Sequence, residues 1–171
     1  IQSLPINSGV FCLKKDRFQD VVWIGTDGQG VYLYSNPLYS IKSMVLSNYT
    51  EKIERPVRAI YLDDERTFWV GTKGNGILKI YDYEFDKNIS DCRAEVLTTS
   101  NSALSSNAVY CFAKSHRNLL WIGDEEGLTY YSYREKRIKS IPIRIGNEDF
   151  KYIHDIYETA DSELWLASVG M

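Results

Sequence analysis

One short stretch of this chain comes back, and its return limits what the chain can fold into. Val22-Trp23-Ile24-Gly25-Thr26 recurs as Phe68-Trp69-Val70-Gly71-Thr72 and as Leu120-Trp121-Ile122-Gly123-Asp124. A worn copy, Leu164-Trp165-Leu166-Ala167-Ser168, closes the series, and all four tryptophans of the protein lie in this motif. The tryptophans stand 46, 52 and 44 residues apart. The return of one Trp-bearing strand at a period of roughly 40–50 residues means one supersecondary unit repeated along the chain.

Each unit parses into four short strands joined by turns. The first strand carries two apolar residues three apart, as in Val10-Phe11-Cys12-Leu13, Val57-Arg58-Ala59-Ile60, Val109-Tyr110-Cys111-Phe112 and Ile153-His154-Asp155-Ile156. From that first apolar residue to the Trp the step is 13, 12, 12 and 12 residues. The Trp strand ends in a Gly-rich turn, Asp27-Gly28-Gln29-Gly30, Lys73-Gly74-Asn75-Gly76 or the shorter Glu125-Glu126-Gly127. Glycine supplies the positive φ that tight hairpins need. Third strands follow at Val31-Tyr32-Leu33-Tyr34, Ile77-Leu78-Lys79-Ile80-Tyr81 and Leu128-Thr129-Tyr130-Tyr131. Fourth strands share a pattern, Ile41-Lys42-Ser43-Met44-Val45-Leu46 resembling Ile138-Lys139-Ser140-Ile141-Pro142-Ile143, and Ile1-Gln2-Ser3-Leu4-Pro5-Ile6 matches both.

The expected fold is all-β, a partial β-propeller of about three and a half four-stranded blades. Residues 1–6 read as the last strand of a preceding blade. Residues 8–46, 56–98 and 107–143 read as three blades, and 150–171 as the start of a further one. The second repeat carries a surplus around Phe85 to Asn107, polar at Thr98-Thr99-Ser100-Asn101-Ser102, which reads as a surface loop. Trp23, Trp69, Trp121 and Trp165 are expected in the core, each beside a small residue (Gly25, Gly71 or Gly123 in the first three copies) that lets neighbouring sheets approach. Open edges in an incomplete ring predict self-association or poor solubility of the chain alone.

Composition narrows the function classes. With 44% hydrophobic and 25% charged residues the chain is an ordinary globular one, and its 13 tyrosines suit β-structure. A formal net charge of −3 implies no general affinity for nucleic acid or an anionic membrane. No apolar run approaches the roughly 18 residues of a membrane span. Cys12 and Cys111 fall at equivalent first-strand positions and read, with Cys92, as small buried hydrophobes; no CxxC or Cys/His cluster has zinc-ligand spacing. His116 and His154 are the two histidines, and neither sits in a pattern of acid–base or nucleophilic catalysis. Asp63-Asp64-Glu65 and Glu125-Glu126 read as solvated turns, and Asn48-Tyr49-Thr50 and Asn88-Ile89-Ser90 match glycosylation acceptors.

In a meander, successive hairpin loops alternate between the two ends of a sheet. The Gly-rich turns therefore share a face with the loops that lead into each first strand. That face collects Asp27, Lys73 and Asp124 with Arg55, Asn107 and Lys151, the candidate ligand-binding residues. A solvated rim is the plainer reading of the same residues.

The run from Leu104-Ser105-Ser106-Asn107 through Val109 to Trp121-Ile122-Gly123 and Gly127-Leu128 resembles the two-component regulator propeller repeat. Trp23-Ile24-Gly25-Thr26 with Gly30-Val31, and Trp69-Val70-Gly71-Thr72 with Gly76-Ile77, match it as well. Departures are Asp124 for the usual Thr, one missing glycine before Gly127, and the eroded Trp165-Leu166-Ala167. The resemblance implies the periplasmic sensor region of a hybrid sensor histidine kinase, here a piece of a seven-bladed propeller. It implies no catalysis and no cofactor in this segment. The implied partners are an oligosaccharide ligand and the remaining blades of a longer parent. Two other classes remain open: a protein-interaction propeller, which would lack the Gly-His and Trp-Asp signatures of WD repeats, and a propeller lyase or quinoprotein.

Overall fold

The computed structural model describes residues 6–35, 55–83 and 92–169, and the backbone of 40–44. The expected strand at 1–6, except for Ile6, and both glycosylation matches lie outside the described residues. Among those described there is no helix, and so no helix long and apolar enough to cross a membrane. The chain forms two compact units, residues 1–70 with 78–96, and residues 71–77 with 97–171.

The first unit carries two antiparallel sheets. One runs β1 (Val10–Lys15), β2 (Val21–Thr26), β3 (Val31–Ser35) and β4 (Ser40–Met44), in that spatial order. The other runs β5 (Val57–Leu62), β6 (Phe68–Thr72), β7 (Ile77–Ile80) and β8 (Ala94–Leu97), with the β6–β7 turn grouping with the second unit. Four strands in up-and-down order, repeated, are propeller blades. β8 corrects the expected loop over 85–107: Ala94-Glu95-Val96-Leu97 is a strand, and the Tyr81 amide donates to the Arg93 carbonyl at 2.9 Å to lead into it. Four residues give too short an alternation to stand out from polar flanks.

The core of this unit lies between its two sheets. Trp23 packs against Phe68 in a tilted ring pair at 4.0 Å between centroids and meets Tyr83 edge-on at 5.2 Å. Val31, Leu33, Val57, Leu62, Val70 and Ile80 fill the space around them. Burying an indole this fully contributes on the order of 2–3 kcal/mol. A Cβ on Gly25 would stand 2.9 Å from Val57 Cγ1 in the second sheet and 2.6 Å from Cys12 Sγ in its own. The Trp beside a residue without a side chain is therefore the device that lets the sheets close.

The second unit holds the blade β9 (Val109–Lys114), β10 (Leu119–Asp124), β11 (Leu128–Ser132) and β12 (Arg137–Ile141). A small hairpin follows, β13 (Arg144–Ile145) with β14 (Glu148–Asp149), which the repeat pattern does not announce. The last pair is β15 (Ile153–Glu158) with β16 (Leu164–Ser168). Cys111, Trp121, Leu128, Phe150, Ile153 and Ile156 make its core. Gly123 repeats the close approach, its absent Cβ lying 2.6 Å from the Ile153 carbonyl, and Gly71 does so against Val109 at 2.8 Å. Cys12 and Cys111 occupy equivalent register positions opposite Gly25 and Gly123.

Trp165 departs from expectation. Trp23, Trp69 and Trp121 are buried, but Trp165 is 66% exposed, because no further sheet covers its face among the described residues.

Candidate functional site

Two sets of turns frame each blade, and they do different work. At the end opposite the Gly-rich turns, a buried carboxylate pins each core indole. Asp16 accepts the Trp23 indole N–H at 2.9 Å and the amides of Phe18 and Gln19. Asp63 accepts the Trp69 indole at 2.9 Å and the amides of Glu65 and Thr67. Asp63 is thus a buried partner of the core, correcting its reading as part of a solvated turn. In the third blade Ser115 stands where the aspartate should be, and Glu158 from the following strand pair takes the Trp121 indole N–H at 2.9 Å. Burial pushes the Glu158 carboxyl up, but donors from Trp121, Ser115 and the His116 amide outweigh it and hold it below its ordinary value. An Asp six or seven residues before the Trp was the signal available for two of these clamps.

At the Gly-rich end the Thr26 hydroxyl donates to the Gly30 carbonyl at 2.8 Å, and Thr72 to Gly76 at 2.9 Å. The third turn is one residue shorter, and Asp124 serves it from the accepting side. Its Oδ1 takes the amides of Glu126 and Gly127, and its Oδ2 takes the Ser105 hydroxyl at 2.6 Å and, more loosely, that of Thr129. Burial raises the Asp124 carboxyl despite these donors. This corrects the expectation for Asp124: its side chain is buried and committed to the turn rather than presented at the rim.

The second unit does bring Lys73, Asn107 and Lys151 onto one set of cross-linked loops. The amides of Gly74 and Gly76 both donate to the Asn107 carbonyl at 2.9 Å, and Lys73 bridges to Ala108. Asn107 Oδ1 accepts the Thr99 amide at 2.9 Å. The Glu125 amide reaches Ala108, and the Tyr152 amide reaches Glu125, each at 3.0 Å. Lys151 pairs with Glu126 at 2.5 Å. In the Gly-rich turn the buried Asn75 Oδ1 has no hydrogen-bond partner. These amides are taken up within the loops, which leaves the Lys73 side chain and the Lys151–Glu126 pair as the polar groups they present at the surface. In the first unit, exposed Asp27 is tied by its amide to the Gly9 carbonyl at 2.9 Å, and Arg55 is exposed as well.

The remaining chemistry-bearing residues have structural company. His154 stacks on Tyr110 at 4.4 Å. Burial pushes the thiols of Cys12 and Cys111 up, to about 11 and about 12. Among the described residues no group of three or more His, Cys, Asp or Glu is placed to hold a metal ion.

The architecture is that of β-propeller blades, and comparison with known proteins gives it company. No family model matches the chain. Among solved structures, it is similar to the extracellular domain of BT3049 from B. thetaiotaomicron, described as a hybrid two-component system. That likeness has a TM-score of 0.70 and 23% identity, over 98% of this chain and 21% of that one. PorZ, a surface component of the type-IX secretion system of Porphyromonas gingivalis, matches with a TM-score of 0.66 and 14% identity over 92% of this chain and 24% of that one. The designed protein Ika4 matches at 0.58 and 13% identity, over 98% and 96% of the two chains. These likenesses concern the fold. In sequence, the chain is 31% identical over 140 residues to Translation initiation factor 6 of Saccharolobus solfataricus, spanning 74% of this chain and 57% of that protein.

Proposed function

We propose that this chain is a non-catalytic part of the extracytoplasmic sensor region of a hybrid two-component regulator, one section of a larger, seven-bladed propeller. The observation that carries the reading is the fold likeness to the BT3049 extracellular domain over 98% of the chain. The recurrent Trp-Ile-Gly-Thr strands agree with it. The ligand we propose is an oligosaccharide, held at the cross-linked loops around Lys73, Asn107 and Lys151. Sugar hydroxyls pair with neutral polar side chains and ion-paired groups without requiring net charge.

Calorimetric titration of the chain with a panel of neutral and acidic oligosaccharides tests this. Binding that is lost in Lys73→Ala and Lys151→Ala, with melting unchanged, supports the site. Binding that survives both substitutions moves the ligand elsewhere, and a panel without a binder removes the oligosaccharide reading.

The likeness to Translation initiation factor 6 suggests a second reading, a role in translation. A net charge of −3 and loops of mixed sign lack the basic footprint of nucleic-acid machinery, which favours the first reading.

A further inference from the structure

Tyr152 is held in a backbone conformation that its side chain does not favour. Six described residues other than glycine have a positive φ: Arg66, Asp82, Asn118, Lys136, Tyr152 and Ser162. Five of them fall in connections from first to second or third to fourth strand, at the end of their own sheets away from the Gly-rich turns. Tyr152, at φ 55°, is the one at the Gly-rich end, immediately before β15, and the one aromatic residue of the six. Gly9, Pro56 and Ala108 precede the other first strands. A ring-bearing residue is an outlier in the left-handed region, and such positions persist only where the surroundings enforce them.

The surroundings of Tyr152 do so. Its amide donates to the Glu125 carbonyl at 3.0 Å, the Ser168 hydroxyl to the Lys151 carbonyl at 2.7 Å, and the Phe150 amide to the Ile143 carbonyl at 2.8 Å. Three consecutive residues are thus fixed, with Phe150 anchored in the core. The Tyr152 ring adds little to that core: it is 41% exposed and stands outside the cluster around Cys111, Trp121 and Ile153. Beside it Lys151 and Glu126 pair at 2.5 Å, and both side chains reach solvent. The Glu126 carboxylate raises the Lys151 ammonium above its ordinary value, and Asp149 and the Tyr152 phenol add to the effect, so the phenol lies within electrostatic reach of the pair.

We propose, on the oligosaccharide reading above, that Tyr152 is the stacking platform of the site. It takes the C–H face of a neutral pyranose whose hydroxyls are equatorial, while Lys151 and Glu126 take hydroxyls at the edge of the sugar ring. Equatorial hydroxyls lie round that edge and leave the C–H bonds to the two faces, one of which covers the tyrosine. A tyrosine supplies the large apolar surface such a face needs. Lys151 and Glu126 already neutralise each other, so they give a charged sugar no advantage. Because the backbone of residues 150–152 is fixed beforehand, little ordering is required on binding.

Calorimetric titration with cello-, laminari- and xylo-oligosaccharides tests the proposal on the wild type, Tyr152→Phe, Tyr152→Ala, Tyr152→Gly and Lys151→Ala, with a melting curve for each. Tyr152→Phe is expected to bind like the wild type, since the ring is what stacks. Tyr152→Ala is expected to weaken binding about ten-fold. Tyr152→Gly relieves the left-handed strain, and is expected to keep wild-type melting while losing binding to the same degree. A Tyr152→Gly variant that melts well below the wild type assigns the ring to folding and overturns the proposal. Tyr152→Phe binding as poorly as Tyr152→Ala overturns it too, because the hydroxyl and not the ring would then be the contact. Binding lost in Lys151→Ala but untouched in Tyr152→Ala removes the platform and leaves the oligosaccharide reading standing. So does a chain that binds other oligosaccharides through Lys151 and none of these three. A chain that binds no oligosaccharide at all removes both.

Discussion

Glu158 reaches back 37 residues to accept the indole N–H of Trp121 at 2.9 Å. It replaces an aspartate that the third blade lacks. In the first two blades Asp16 and Asp63 hold Trp23 and Trp69 from within their own turns. Glu158→Ala should therefore cost about 1–3 kcal/mol, the penalty of a buried donor left unpaired. Adding Ser115→Asp should recover much of the loss by restoring the local clamp, and chemical denaturation of the single and double variants reads this directly.

The same carboxylate gives a pH dependence whose sign follows from its lowered pKa. A group that ionises more readily folded than unfolded stabilises the fold above its unfolded value, near the ordinary 4.5. That contribution fades as pH falls through the folded value. Glu158→Gln should flatten this part of the acid limb of a stability-against-pH curve while leaving the alkaline side unchanged.

Asp124 behaves in the opposite sense. Burial raises its carboxyl, so the fold favours the neutral form more than the unfolded chain does, and stability drains away as pH rises from about 3.8 through the folded value. Asp124→Asn keeps the Oδ1 acceptor for the Glu126 and Gly127 amides and removes the buried charge. Melting at pH 7 should be unchanged or higher. Asp124→Ala should lower it by an amount equivalent to about 1–3 kcal/mol.

Core and surface copies of one motif should separate cleanly. Trp69→Ala empties a fully buried site and should cost about 3–5 kcal/mol. Trp165→Ala, at an exposed site, should cost about 0.5 kcal/mol or less in the monomer. Gly123→Ala should cost about 1–3 kcal/mol, because its methyl would sit 2.6 Å from the Ile153 carbonyl. Equal losses from Trp69→Ala and Trp165→Ala would contradict this account.

Thiol labelling offers a quick check of burial. With thiols raised to about 11 and about 12, Cys12 and Cys111 should carry almost no thiolate at pH 8. They should react with iodoacetamide only when the chain is unfolded.

The repeat made the blades readable, since a Trp, a Gly and a first-strand valine at fixed offsets encode strand order and sheet spacing together. It also indicated which loops gather, and Lys73, Asn107 and Lys151 do share cross-linked loops. What it hid were the exchanges between copies. Asp124 looks like a rim residue until the missing glycine is seen to leave turn amides that need an acceptor. Glu158 sits in a strand of ordinary pattern, and only the third dimension shows that it answers for Ser115. β8 and the β13–β14 hairpin were too short to carry a period.

The displaced clamp has a consequence for how such chains change over time. The first two blades each hold their tryptophan with their own residues, so duplicating or transplanting either carries its fastening along. The third does not. Cut out and inserted elsewhere, it would bring an indole whose acceptor stayed behind. A crossover beyond Glu158 keeps donor and acceptor together, while one between Ile141 and Glu158 parts them. A rearrangement that moves the third blade and the strand pair after it as one block would keep the fastening intact.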